Sequence, residues 1–309
     1  MVSIAPKLLA GARSGDRNPQ TGAPAAGTAW TEKSVNLLAF GGGTKRTTRA
    51  DAVITGAGSG IGRAFATELI ARGGRVVCAD IDEAGARETA TLLGDRALAV
   101  RCDVGSIDDV IALADTAEEW FGKPTDLMIN NAGIGTGGTV VGETPLADWH
   151  KTVDVNLWGP IHGCHVFAPR LRAHGRGGII NMASAASFAA APRMSAYNVT
   201  KAGVLALSET VSSEMAGTGI AVTVVCPTVV KTNIFDSDTI SEDASGLIST
   251  LVKWTGVEAD SIVRETLNAH DRGQLYVVPQ LDAKVIWQLK RLAPSAYTHL
   301  LGLVERIAR

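Results

Sequence analysis

A chain of 309 residues with 46% hydrophobic content is long enough to bury one sizeable core. Its formal charge of −2 argues against a nucleic-acid partner. No stretch reaches about 18 uninterrupted apolar residues, and the first fifty hold no apolar run of roughly 7–15, so membrane spanning and secretion are disfavoured and a cytoplasmic location is expected.

The charge is unevenly spread. Residues 1–50 carry seven Lys/Arg and two Asp/Glu, a net +5, which leaves −7 for the rest. The run Thr21 to Gly27 and the triplet Gly41 to Gly43 offer little to bury and much chain entropy to lose, so residues 1–49 read as an irregular extension with a short element around Val35 to Phe40. An organelle address or a misplaced start codon are the alternatives for such a basic leader.

From residue 51 short β-rich runs alternate with amphipathic helical ones. Strands are predicted at Asp51 to Thr55, Arg75 to Ala79, Ala97 to Cys102, Asp126 to Asn130, Gly178 to Met182, Ile220 to Cys226 and Gln274 to Val278. Such alternation predicts an α/β, doubly wound Rossmann fold, with a seven-stranded parallel sheet covered by helices on both faces. The four cysteines, Cys78, Cys102, Cys164 and Cys226, are widely spaced and read as buried reduced thiols. His162, Cys164 and His165 lack a second cluster at ligand spacing, so no metal is expected.

Between the first strand and the first helix lies Thr55-Gly56-Ala57-Gly58-Ser59-Gly60-Ile61-Gly62. Glycines there let the backbone turn tightly and approach a pyrophosphate, while the amides opening a helix from about Arg63 to Ala71 face the anion. Asp80 ends the second strand, eighteen residues past Gly62. A carboxylate at that point accepts the ribose hydroxyls of the adenosine half and repels a 2′-phosphate, which favours NAD over NADP. Arg63 is the one nearby cation that opposes this, and as a solvated helix residue it would not.

Tyr197 and Lys201 stand four residues apart, which puts a phenol and an ammonium on one face of a helix, one turn apart. An unperturbed tyrosine, with a pKa of about 10, is a poor base near neutrality. Lys201 and the positive charge of oxidised nicotinamide are the available means of lowering it. Tyr197 could then take the proton from an alcohol as hydride leaves, or supply it to a ketone. Ser184 follows the fifth strand at the edge where ligands of open α/β sheets collect, and its hydroxyl can donate to the reacting oxygen.

These motifs together resemble the single-domain branch of the short-chain dehydrogenase/reductase family, over roughly residues 50–280. The Thr-Gly-x-x-x-Gly-x-Gly turn stands as Thr55 to Gly62, the Asn-Asn-Ala-Gly segment as Asn130 to Gly133, and the Tyr-x-x-x-Lys pair as Tyr197 and Lys201. The resemblance implies NAD contacts from Gly56, Ser59, Gly60, Ile61, Gly62, Asp80, Asp103, Val104, Asn131, Ala132 and Gly133, and from Tyr197, Lys201, Pro227, Val230 and Thr232. It implies a catalytic set of Asn156, Ser184, Tyr197 and Lys201, with Ser184 preferred to Ser187 because it precedes Tyr197 by thirteen residues, and with Asn156 holding a water beside Lys201. Where the family has Pro-Gly, this chain has Pro227-Thr228, a departure beside the nicotinamide.

The expected reaction is hydride transfer between NAD and a secondary alcohol or ketone. The run Ala185 to Ala191 reads as a small apolar wall, and Ile234, Phe235, Leu247, Ile248, Leu251, Val252 and Trp254 as a flap, so an apolar small-molecule substrate is expected. A flap that packs on the body of the protein is the alternative. A nucleotide-responsive binding protein that keeps the fold with little catalysis is the rival function. Beyond residue 280, Leu281, Val285, Ile286, Leu289 and Leu292 recur at helical spacing, Pro294 interrupts, and Tyr297, Leu300, Leu301, Val304 and Ile307 resume it. Residues 281–309 carry five Lys/Arg against two Asp/Glu. This basic amphipathic tail reads as a packing element within a homo-oligomer, a dimer or tetramer, in preference to a membrane contact.

Overall fold

The computed structural model describes residues 45–228, 230 and 257–307, all within the unit Phe40–Arg309. The short element around Val35 to Phe40, the flap residues and Thr232 lie outside the described residues. Arg46 and Thr47, placed in the leading extension by composition, bond to Asp271: the Thr47 amide and hydroxyl donate to its carboxylate at 2.8 and 2.9 Å.

Seven strands form one parallel sheet in the order β3-β2-β1-β4-β5-β6-β7. They are β1 (Asp51–Thr55), β2 (Arg75–Asp80), β3 (Ala97–Arg101), β4 (Leu127–Asn130), β5 (Gly177–Met182), β6 (Ile220–Val225) and β7 (Tyr276–Val277). The helices are α1 (Gly60–Ala71), α2 (Glu83–Leu93), α3 (Ile107–Phe121), α4 (Leu146–Val153), α5 (Gly159–His174), α6 (Ala186–Ala189), α7 (Ser195–Glu214), α8 (Ala259–Asp271), α9 (Leu281–Leu292) and α10 (Pro294–Ile307). A π-helical turn, Asp154–Trp158, joins α4 to α5.

Side-chain alternation along the strands builds two cores. Val53, Val77, Met128, Ile179 and Val222 meet Leu113 of α3 and Phe167 of α5 on one face. Ala52, Ile54, Val76, Ile129 and Ile180 meet Phe65 and Leu69 of α1 and Ile262 and Leu267 of α8 on the other. Burial on both faces is why the strands read as continuous apolar runs. The order reverses between β1 and β4, and there the crossover helices diverge and open a crevice at the carboxyl ends of the strands.

The opposite rim of the sheet is closed by ions. Asp51 accepts from Arg75 Nε and Nη2 at 2.8 and 2.7 Å and faces Lys123 Nζ at 2.9 Å. Asp126 accepts from Lys123 Nζ at 2.6 Å, from Arg176 at 2.9 Å and from the Asp51 amide at 3.1 Å. Burial alone would raise the Asp126 carboxyl, but the Lys123 hydrogen bond and the remaining positive charges outweigh it and hold the group below its ordinary value.

Candidate active site

The glycine turn is shaped by positions that only glycine fits. Gly56 and Gly60 have φ of +66° and +51°. A Cβ on Gly56 would stand 2.8 Å from Ala132 Cα, and one on Gly62 would collide with the Gly56 carbonyl oxygen. Gly62 thus faces Gly56 and not the crevice. Ser59 caps α1 in extended conformation without using its hydroxyl, and the first-turn amides of α1 open toward the cleft.

Asp80 is held by two amides. Gly58 N donates to its Oδ2 at 2.8 Å and Asp82 N to its Oδ1 at 3.1 Å, so each oxygen keeps a lone pair for a further donor. Arg63 is drawn away from it: the guanidinium donates to Gly58 O at 2.6 Å, to Thr89 Oγ1 at 2.9 Å and to Glu88 Oε2 at 2.9 Å. It is a bridge between α1 and α2, where sequence reasoning saw a solvated residue. Asp103 turns the chain after β3 by accepting from Gly105 N at 2.9 Å.

The Asn131 side chain donates to the Thr55 and Gly56 carbonyls at 2.9 and 3.1 Å, locking the β4 loop to the glycine turn. Asn156 sits in the π-helical turn, fully buried, and clamps Ile134 from both sides. Its Nδ2 donates to Ile134 O and its Oδ1 accepts from Ile134 N, each at 2.8 Å. Nδ2 keeps a second hydrogen and Oδ1 a second lone pair beyond that clamp. A Cβ on Gly133 would lie 3.1 Å from Asn156 Oδ1 and 3.4 Å from Lys201 Nζ, which places the loop, the turn and the lysine together.

Tyr197 and Lys201 occupy successive turns of α7, both buried, with Lys201 Nζ 5.6 Å from the Tyr197 ring centroid. Lys201 Nζ donates to Met182 O at 2.9 Å. Burial pushes its pKa down to about 8. Burial pushes the Tyr197 phenol above its ordinary value, opposed by a hydrogen bond with Ser184. Burial outweighs that bond, so the phenol stands above its ordinary value in the protein alone. The buried Ser184 hydroxyl accepts from Ala186 N at 3.2 Å and donates to Pro227 O at 3.4 Å. Ser187, the geometric rival, donates its hydroxyl to Lys201 O at 2.7 Å.

Thr228 fits its place without left-handed backbone. Its N donates to Gln280 Oε1 at 3.0 Å and its hydroxyl to Asp282 Oδ1 at 3.2 Å, tying the turn after β6 to the start of α9. Within the run Ala185 to Ala191, Ala185 and Phe188 are buried in a third core with Val204, and Phe188 stacks on Trp287 at 5.8 Å.

One cleft of about 560 Å³ gathers most of the expected set: Gly56, Ser59, Gly60, Ile61, Asp80, Asp103, Val104, Asn131, Ala132, Gly133, Ser184, Tyr197, Lys201, Pro227 and Val230 all line it. Gly62 and Asn156 stand behind the lining. Sequence reasoning missed Ile81, Ile134 and Lys151, which line it as well. Ile81 follows Asp80 directly, and Lys151 is one helical turn before Val155, so position relative to known motifs is the signal that would have found them.

The comparisons with known proteins agree with this geometry. The family model described as short chain dehydrogenase matches residues 50–243. The chain is 40% identical over 188 residues to 2-(R)-hydroxypropyl-CoM dehydrogenase of Xanthobacter autotrophicus, a match covering 59% of this chain and 74% of that protein. A short chain dehydrogenase/reductase from Burkholderia phymatum, solved in complex with NAD, superposes with a TM-score of 0.73 at 33% identity, over 78% of this chain and 92% of that one. A short-chain dehydrogenase from Sphingobium yanoikuyae, solved in complex with NADPH, gives 0.67 at 28% identity, over 80% and 94%. Both forms of the dinucleotide thus occur among similar structures. With a family match over more than half of its length and a doubly wound sheet to carry it, this chain belongs to the short-chain dehydrogenase/reductase family of oxidoreductases.

Proposed function

We propose that the protein is an NAD-dependent dehydrogenase or reductase acting on a secondary alcohol or ketone, with Tyr197 as the general acid/base. The observation that carries this is the convergence of Ser184, Tyr197 and Lys201 on the cleft that begins at the glycine turn. The turn fits a dinucleotide because Gly56, at φ +66° and packed where a Cβ would strike Ala132, lets the backbone turn tightly at the cleft, and the α1 amides suit a pyrophosphate. Asp80, fixed by two amides and in no ion pair among the described residues, favours ribose hydroxyls over a 2′-phosphate, and the capture of Arg63 by Glu88 supports the same preference. Bound NAD supplies the hydride acceptor and, when oxidised, a positive charge.

The chain's own residues then handle the proton. The Ser184 hydroxyl donates to the substrate oxygen, and Tyr197 takes the proton from that oxygen in oxidation or returns it in reduction. Lys201, held by Met182 O, supplies positive charge beside the phenol, and Asn156, which adjoins Gly133 together with Lys201, can hold the water that passes the proton on. An apolar substrate is favoured by Ile134, which lines the cleft together with Met182 and Ala183. Lys151 favours a second reading: it lines the cleft and makes no ion pair among the described residues, which suits an anionic group on the substrate. A homo-oligomer belongs to the same proposal, because Trp158 and Val199 stand exposed on the turn and helix that carry Asn156 and Tyr197.

A panel of neutral and carboxylate-bearing secondary alcohols, followed by NADH formation, tests the substrate class. Tyr197→Phe tests the mechanism: turnover should fall by roughly 10²–10⁴ while NAD affinity stays within a few fold. Activity close to the parent would remove Tyr197 from the reaction, and light scattering of the intact chain would show whether it is a monomer.

A further inference from the structure

Among the described residues, helices α9 and α10 touch the body of the protein on one side only. On α9, Ala283 is buried and Ile286 and Trp287 pack beside Phe188. Helix α10 buries no residue and is anchored by Glu305, whose carboxylate accepts from Arg193 Nε at 2.6 Å. At 3.6 residues per turn, Leu281, Val285, Leu289 and Leu292 share the opposite face of α9, and Leu300, Leu303, Val304 and Ile307 share one face of α10. These side chains are 49–82% and 43–84% exposed, and they are eight of the fifteen large hydrophobic side chains exposed among the described residues. More than half of the exposed apolar side chains thus sit on these two helices.

Charge decides what covers them. Of the two acids, Glu305 pairs with Arg193, and the exposed Asp282 accepts from the Thr228 hydroxyl and from Ala283 N. Lys284, Lys290, Arg291 and Arg306 make no ion pair among the described residues; Lys290 lies over the Tyr297 ring and Arg291 over the Trp287 ring. Residues 281–309 carry +3 (five cations, two acids), so the rest of the chain, from a total of −2, carries −5. The two helices thus combine exposed apolar stripes with a net positive charge, on a chain whose remaining residues are net negative. No helix among the described residues is long and apolar enough to cross a membrane.

We propose that α9 and α10 dock the protein on an anionic lipid surface, their apolar stripes entering the headgroup boundary and their cations facing the lipid phosphates. This reverses the preference for an oligomer contact drawn from the sequence, because the stripes lie on helices of net positive charge and one of the two acids there is already paired with Arg193. The proposal is independent of the redox reading.

The test is flotation of the full chain with vesicles of phosphatidylcholine alone or with about a third phosphatidylglycerol, at low and high salt. Binding is expected to the anionic vesicles, to fall at high salt, and to weaken at least about tenfold in the double variants Lys284→Glu/Arg291→Glu and Leu289→Glu/Leu300→Glu. Circular dichroism melting shows whether each variant folds, and the parent's own response to lipid charge and salt decides the matter if one does not. Failure of the parent to float with anionic vesicles, equal flotation with neutral ones, or a drop in oligomeric mass for Leu289→Glu/Leu300→Glu without loss of lipid binding would each overturn it.

Discussion

Burial acts on Tyr197 and Lys201 in opposite senses, disfavouring the charged form of each. For Lys201 the consequence can be followed by pH. Its folded value of about 8 lies below the ordinary 10.5, so between those values the unfolded chain holds a proton the folded chain has released, and this group's contribution to stability rises with pH. Below about 8 it is a constant cost. Lys201→Met should abolish turnover, and the parent should gain stability on the variant as pH climbs from about 8 toward 10.5 in denaturant unfolding. Parallel curves would show that the amine is not desolvated. Asp80 belongs to the same scale. Replacing it with Ser should cut the NAD over NADP preference, read as the ratio of kcat/KM values, by roughly 10- to 100-fold, since juxtaposed like charges cost several kcal/mol. An unchanged ratio would move cofactor choice elsewhere.

Between elements, His270 of α8 is the most consequential buried group outside the cleft. Thr223 Oγ1 donates to Gln274 O at 2.8 Å and lies 2.9 Å from His270 Nδ1, so Nδ1 carries the hydrogen; Nε2 has no partner among the described residues and presses on Gly178 of β5, where a Cβ would collide with it. Burial drives the imidazole from 6.5 down to about 3. As pH falls through that interval the unfolded chain protonates first, so stability is lost; His270→Leu should flatten the stability curve between those limits, and a variant as acid-sensitive as the parent would contradict it. The strands were legible because each is a short apolar run between turn residues, and β1 was read to the residue; β7 is shorter in strand geometry than Gln274 to Val278 because it is the edge, paired only with β6. The glycine turn and Tyr197-x-x-x-Lys201 were legible because local spacing sets them. What escaped depends on distant partners. Asn156 needs Ile134, twenty-two residues away, to close its clamp, and Phe188 is core because Trp287 arrives ninety-nine residues later.

At the scale of the molecule, a dinucleotide that binds only the folded chain must raise its melting temperature. At a hundredfold excess over Kd, linkage gives about 2.7 kcal/mol, or roughly 5–10 °C for a body of this size. Differential scanning fluorimetry should show that shift with NAD and a smaller one with NADP; no shift with either would count against a nucleotide cleft. The sheet's two rims divide the labour. Asp51, Lys123, Asp126 and Arg176 fasten β1, β4 and β5 where they begin, while every candidate reacting group stands where strands end. Remodelling loops around the mouth therefore draws on none of the clasps beneath it, and this scaffold should tolerate exchange of its specificity loops far better than loss of a single carboxylate at its base.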